Sequence, residues 1–387
     1  MSEQAGGVLL PTPTQELLLH AALGSGEAAR RAFYEWKAQT DLAQPLDLGV
    51  YRILPLLYHN LRALNVQDAW QSRFKSVYRR EWAHTQMIFQ TMAKELRALH
   101  EAGIKTLALK GAPLTLLYYR DYGLRPMSDF DVLVPTAQRC AAMERLTRAG
   151  WYPRERSPSN LTDNVCAVRD GWNFENARRE QFDLHWHVLL ECRNQAMDDD
   201  FWARSIPLQI ADIETRTLHP TDHLLFICLH GVRWNIVSPM RWIPDALMIL
   251  RGAAAQIEWA RLLALAEKFR LNLRLALALN YLNEQFQASI PTDFLQALNR
   301  IRVSERERQL YEALIAPPSW YAGIRAHWYR YRFDLELEGK SNPVSRWFGF
   351  PRYWRRAKAL APGEMPRWFF TRSFQRFTAW RQARADL

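Results

Sequence analysis

The stretch Lys105–Pro135, KTLALKGAPLTLLYYRDYGLRPMSDFDVLVP, has two chemical ends. At its start a short apolar strand, Thr106 to Leu109, runs into Lys110-Gly111-Ala112. At its end Asp129-Phe130-Asp131-Val132 alternates carboxylate with apolar side chain, then continues apolar to Val134. Residues i and i+2 of a strand face the same side. Asp129 and Asp131 therefore project together, while Phe130 and Val132 face a core. Two neighbouring carboxylates repel unless a cation sits between them, and hard divalent ions such as Mg²⁺ prefer oxygen ligands of this kind. An isolated Asp-x-Asp also fits a solvated turn. This one has a strand and glycine turn upstream, and a third acid, Asp183, follows in QFDLHWHV.

Helical patterns lie on both sides of this stretch. TQELLLHAAL has helical apolar spacing with Thr14 as a candidate N-cap, and Pro55 kinks or starts a second helix. Residues 68–103 read as one long amphipathic helix, with a stripe of Ala69, Phe74, Val77, Trp82, Met87, Phe89, Met92, Leu96 and Leu99, closed by Gly103. No chemical constellation is apparent in residues 1–103. Further on, a helix is expected from about Ala112 to Tyr119, a strand over 130–134 and a helix over 136–150. Tyr152 and Cys166–Val168 suggest short strands. In Gln181–Leu189, Phe182, Leu184, Trp186 and Val188 face one way, and Asp183, His185 and His187 the other. Residues 206–208 and 215–218 suggest a pair of edge strands. From Pro220, with Thr221 or Asp222 as cap, at least four helices precede residue 316. His230 and Asp245, on successive helices, suggest a buried pair. Pro317-Pro318 then interrupts the chain.

The 387 residues, 48% of them hydrophobic, can bury a sizeable core in two or three units. No apolar run approaches the roughly 20 residues of a membrane span. The opening MSEQAGGVLLPTPTQ lacks the basic-then-apolar order of a signal peptide. Cys140, Cys166, Cys192 and Cys228 are scattered without a CxxC, which argues against structural zinc and for reduced thiols in a cytoplasmic protein. Of the net charge of +11, nine units lie in residues 317–387, with six of the 16 tryptophans: Trp320, Trp328, Trp347, Trp354, Trp368 and Trp380. Such a tail suits RNA or an anionic membrane surface, the latter implying a peripheral location. Equally, its tryptophans suit packing onto the body with the arginines solvated.

A strand, a glycine turn, a helix, an acid–apolar–acid strand and a later single acid resemble the DNA polymerase beta-like nucleotidyltransferase superfamily. Within it, LKGAPL, YYRDYGLRPMSDFDVLV, FDLHWHV, DHLLFICLHGVRW and WIPDALMIL resemble a large, poorly characterised bacterial nucleotidyltransferase family, over roughly residues 90–280. The resemblance implies metal-dependent transfer of a nucleotidyl group from an NTP. Asp129 and Asp131 would hold Mg²⁺ (or Mn²⁺) on the triphosphate. Asp183 would hold a second ion and lower the pKa of an acceptor hydroxyl, or take its proton. The amides of Gly111 and Ala112, with Lys110, would face the phosphates, and Arg125 would contact them bidentately or pair with an acid. His185 would be a metal neighbour or a hydrogen-bond partner of the acids, and His187 a structural residue. The sequence departs from the superfamily in its Lys110-Gly111-Ala112 turn, commonly Gly-Gly or Gly-Ser, and in a longer gap to Asp129.

The expected architecture is α+β. A small mixed nucleotidyltransferase sheet with flanking helices (104–219) lies between an N-terminal helical segment (1–103) and a C-terminal helical domain (220–316), with the basic Trp- and Arg-rich tail (317–387) last. The acceptor is open: a sugar or sugar phosphate, a protein side chain, an RNA end or a small molecule. A non-catalytic nucleotide- or RNA-binding protein on the same fold is the alternative.

Overall fold

A computed structural model describes residues 10–154, 163–190, 192–233, 237, 239–316, 322–337, 339 and 349–358. Seven strands form one mixed sheet: β1 (Leu107–Leu109), β2 (Asp129–Leu133), β3 (Trp151–Pro153), β4 (Gly171–Asn176), β5 (Gln181–His185), β6 (Ile206–Ile210) and β7 (Ile213–Thr217). Their spatial order is β3-β4-β5-β2-β1-β7-β6. β2 runs parallel to β5 and β1 parallel to β7, while the other neighbours are antiparallel.

Alternation sorts the side chains of the central strands onto two faces. Phe130, Val132, Phe182, Leu184, Trp172 and Phe174 enter a core closed by the second half of the helix Gln71–Glu101 and by the helix Arg139–Arg148. Phe130 and Phe182 meet edge to face at 4.5 Å, and Trp151 lies 5.7 Å from Phe182 and 6.0 Å from Phe130. Burying each such side chain is worth about 1.5–3 kcal/mol. A one-residue slip of β2 would push Asp131 into this aromatic cluster, so the cluster fixes which face carries the acids.

Leu107, Leu109 and Leu133, on the acid face, belong to a second core that runs through the helices at both ends of the chain. Leu18, Phe33 and Leu57 share it with Leu225, Leu247 and Leu279. His20 stacks on Phe286 at 4.8 Å, and the Tyr281 hydroxyl donates to Glu16 (3.0 Å). The expected boundaries at 103 and 219 therefore do not separate cores: one helical body covers the acid face. Among the described residues between 220 and 316 there are six α-helices.

Several local expectations are corrected. The first helix is capped by Thr12, which forms a capping box with Gln15, not by Thr14. Pro55 starts its helix, Leu54–Ala63. His219, ahead of Thr221 and Asp222, caps the helix Pro220–Gly231. The long helix spans Gln71–Glu101, and Gly103, just past its cap Ala102, adopts φ +71°. Its buried stripe runs through Phe74, Val77, Glu81, Thr85, Ile88 and Met92, whereas Trp82 (45%) and Met87 (60%) are exposed. Cys166–Val168 is no strand; a helical turn, Asp163–Cys166, precedes it, and the strand is β4. β5 ends at His185, where the amides of Trp186 and His187 both donate to the Asp170 carbonyl (2.9 and 3.1 Å); Trp186 still joins the core of Phe182 and Leu184, whereas Val188 joins the helical one. Residues 111–119 form a helical turn, Gly111–Pro113, followed by a π-helix, Leu114–Tyr119. The four cysteines form no disulfide.

The described tail, Ala322–Leu337 and Phe350–Ala357, lies against the body. Tyr331, Leu335, Tyr353 and Ala357 cluster with Val168, and Trp354 is buried. Arg193 pairs with Asp334, Arg330 donates to the Leu190 carbonyl (2.5 Å), and Arg169 donates to the Ala357 carbonyl (2.9 Å). Pro317-Pro318, Trp320, Trp347, Trp368 and Trp380 lie outside the described residues.

Candidate active site

The sheet register builds the site. Asp131 on β2 pairs with Asp183 on the parallel strand β5, and Asn173 on β4 pairs with Asp183 from the other side. Side chains in register share a face, so these three residues and His185, two beyond Asp183, converge. One ligand atom from each of Asp131, Asp183 and His185 lies within 4.8 Å of the other two. His185 Nε2 is 3.1 Å from Asp131 Oδ1, and Asn173 Nδ2 donates to Asp183 Oδ1 (2.6 Å). His185 Nδ1 is buried without a hydrogen-bond partner, 3.9 Å from Asp170 Oδ2.

Lys110 leaves β1 with φ +48° and ψ −109°, a conformation that costs a non-glycine residue about 1–3 kcal/mol. Its ammonium bonds Asp131 Oδ1. Burial alone would raise the Asp131 carboxyl, but the charge of Lys110 and hydrogen bonds from His185 and Lys110 outweigh it and hold the group well below the usual carboxylate range. At Asp183 the charges of Lys110 and His185 are not enough to offset burial. Burial and the Asp131 charge push its carboxyl up to about 7.

This donor set fits a divalent cation. Two carboxylates and an imidazole suit Mn²⁺ and its first-row neighbours. Mg²⁺ would draw on oxygens, and Asp129 is the next carboxylate on the same face. Half-buried at the start of β2, Asp129 acts electrostatically on Lys110 and Asp183 but is not part of the compact cluster.

The other expected contacts are placed differently. Gly111 and Ala112 are buried. A side-chain carbon at Gly111 would stand 2.7 Å from Met127 Cε and 2.9 Å from Arg125 Nη1, so the glycine permits the close passage of residues 125–127. Arg125, considered for the phosphates, is a buried residue bonded twice to Asp245 (2.8 and 2.9 Å). A phosphate would have to displace that carboxylate. The expected His230–Asp245 pair is absent for the same reason: Asp245 takes Arg125 and the Tyr119 hydroxyl (2.8 Å), while His230 Nε2 meets Arg233 (2.6 Å). His187 is held by Asp198 at 2.6 Å.

Asp170 and Asn173 were not singled out from the sequence. The signal for them is the hairpin of WNFEN with QFDLH, which aligns Asn173 with Asp183 once β4 is recognised. The cluster opens into a cavity of about 250 Å³, walled by β4, β5, Leu190, Phe226 and His230. A sequence profile for the family described as uncharacterised nucleotidyltransferase matches residues 48–287, more than half of the chain. The chain belongs to this family. The span shared with the other nucleotidyltransferases of the family contains the whole sheet and the helices between Leu48 and Phe286. No curated protein matches this nucleotidyltransferase. No described helix is long and apolar enough to cross a membrane.

Proposed function

We propose that this nucleotidyltransferase moves a nucleoside monophosphate from an NTP to a hydroxyl acceptor and releases pyrophosphate, with Asp129, Asp131 and Asp183 as its metal-dependent centre. The observation that carries this reading is the β2–β5 register, which sets Asp131 opposite Asp183 beside an open cavity. A divalent cation bound there would neutralise charge on the phosphates. The acceptor oxygen attacks the α-phosphorus. The bond from that phosphorus to the bridging oxygen breaks, and pyrophosphate leaves with the electron pair. Asp183 takes the hydroxyl proton, a task suited to a carboxyl raised towards neutrality. Asn173 orients Asp183, and Lys110 supplies a fixed positive charge beside Asp131.

The Lys110–Asp131 pair also favours a second reading, a non-catalytic nucleotide- or RNA-binding protein, because it neutralises the buried acid from within the chain. Incubation with each labelled NTP, Mg²⁺ or Mn²⁺ and candidate acceptors separates the two. Transfer of label with release of pyrophosphate, abolished by Asp131→Asn and by Asp183→Asn, supports the enzyme. Nucleotide binding without turnover, unchanged in both variants, supports the binder.

A further inference from the structure

A second cavity, of about 70 Å³, shares Lys110, His230 and Arg233 with the first and is lined also by Arg52, Arg125 and Arg241. Asp245 is the carboxylate among its described lining residues, and Arg125 and Tyr119 already occupy it. Arg241 donates to the uncharged carbonyl of Pro126 (2.9 Å). Among the described residues, neither Arg52 nor Arg241 has a carboxylate within ion-pair distance (4.0 Å). These cations come from separate parts of the chain: Arg52 from the N-terminal helices, Lys110 from the turn after β1, Arg125 from the loop before β2, and Arg233 and Arg241 from the helical body.

Bringing like charges together is unfavourable. Burial, with Arg125 and Arg52 close by, pulls the Arg241 guanidinium down to about 10. Guanidinium groups are planar forks of donors that match phosphate oxygens, and several around one open space suit a polyanion. Asp129 acts electrostatically on Arg52, Arg125 and Arg241, so the cavity and the acids form one continuous field of alternating sign.

We infer that this arginine-lined cavity is a polyphosphate pocket, in which Arg52 and Arg241 bind the terminal phosphates of a ligand whose reacting phosphate lies against the acid cluster. The identification of that ligand as an NTP rests on the proposed transferase function. The polyanion site itself rests on the arginines. Arg52 gives the N-terminal helices, which lack any chemical signature in the sequence, a part in substrate binding.

The test measures binding of inorganic pyrophosphate and tripolyphosphate to the full chain by calorimetry, without divalent metal, in wild type, Arg52→Gln, Arg241→Gln and Asp183→Asn. Wild type should bind tripolyphosphate more tightly than orthophosphate. Each arginine variant should lose about tenfold, the equivalent of one charge-assisted contact, and Asp183→Asn should lose nothing. Arg241 holds the Pro126 carbonyl, so its variant can fail to fold; Arg52, half-buried and with no side-chain hydrogen-bond partner among the described residues, keeps the test decisive. Wild type that binds no polyphosphate, or a folded Arg52→Gln that binds it as well as wild type, overturns the inference. So does a loss confined to a monophosphorylated acceptor such as a sugar phosphate, which would make this the acceptor's pocket. Polyphosphate binding through the arginines without nucleotidyl transfer to any acceptor would sink the transferase reading and leave the pocket standing. Transfer that needs Asp131 but neither arginine would do the reverse.

Discussion

Replacing Asp183 by asparagine should make the metal-free protein more stable at neutral pH. Burial and the neighbouring charge of Asp131 raise the Asp183 carboxyl from its ordinary 3.8 to about 7. At about 1.36 kcal/mol per pKa unit this sets a ceiling near 4 kcal/mol. Asp131 titrates together with it, which shares the strain between the two groups, and about 1–3 kcal/mol is expected. Asparagine keeps an oxygen to accept the Asn173 hydrogen bond. The sign follows from proton counting. Between about pH 4 and 7 the folded wild type binds more protons than the unfolded chain, so its stability falls as pH rises through that window and then levels off. The variant lacks this decline. Its advantage should be near zero at pH 4 and complete by pH 8, as thermal denaturation in a chelator would show. Added Mn²⁺ should stabilise wild type more than the variant. A variant no more stable than wild type at pH 8, or a difference independent of pH, would refute the reasoning.

Other outcomes follow from the same geometry. Lys110→Gln removes the cation bound to Asp131, so Mn²⁺ affinity measured by calorimetry should rise while nucleotidyl transfer falls. Gly111→Ala should cost about 1–3 kcal/mol in urea denaturation, and Met127→Ala should restore part of it, because Met127 Cε is the nearest obstacle, at 2.7 Å. Arg125→Ala should destabilise by about 3–5 kcal/mol through the stranded Asp245, and the double variant Arg125→Met/Asp245→Leu by much less, again by denaturation. Truncation before residue 317 should lower the melting temperature or cause aggregation, because it strips Tyr331, Phe333, Tyr353 and Trp354 from their buried positions.

The sheet was legible where its strands alternate strongly. Phe130 and Val132 set against Asp129 and Asp131 give both the core face and the acid face. β4 escaped because its outward residues, Asn173 and Glu175, and its flanking glycine read as loop; only pairing with β5 makes it a strand. Asp183 was legible as an acid on the functional face, whereas its closeness to Asp131 depends on a register that no local pattern encodes. Between phosphate and acid, the partner of Arg125 stayed open for a related reason. Its partner Asp245 is 120 positions away, on a helix whose orientation is set by the shared helical core. The first helices, likewise, read as an independent segment because nothing local reveals that Leu18 and Leu279 share one interior.

That shared interior has a consequence for how the chain assembles. β1 sits inside the sheet beside the central β2, yet Leu107 pairs with Arg216 on β7, and part of the helical cover of the acid face comes later still. Closing a loop of about a hundred residues costs about 4 kcal/mol of chain entropy before any contact compensates it. The hairpins β4–β5 and β6–β7 form from neighbouring residues and can precede that closure; the central pairings must wait for them. On the ribosome the first helices therefore emerge with half of their apolar partners not yet made. The acids become buried, and their charges mutually coupled, only at the end of folding. A nascent chain that stops before the helix Pro220–Gly231 would lack Phe226 and His230, which wall the cavity beside the acids, and would present those carboxylates to water.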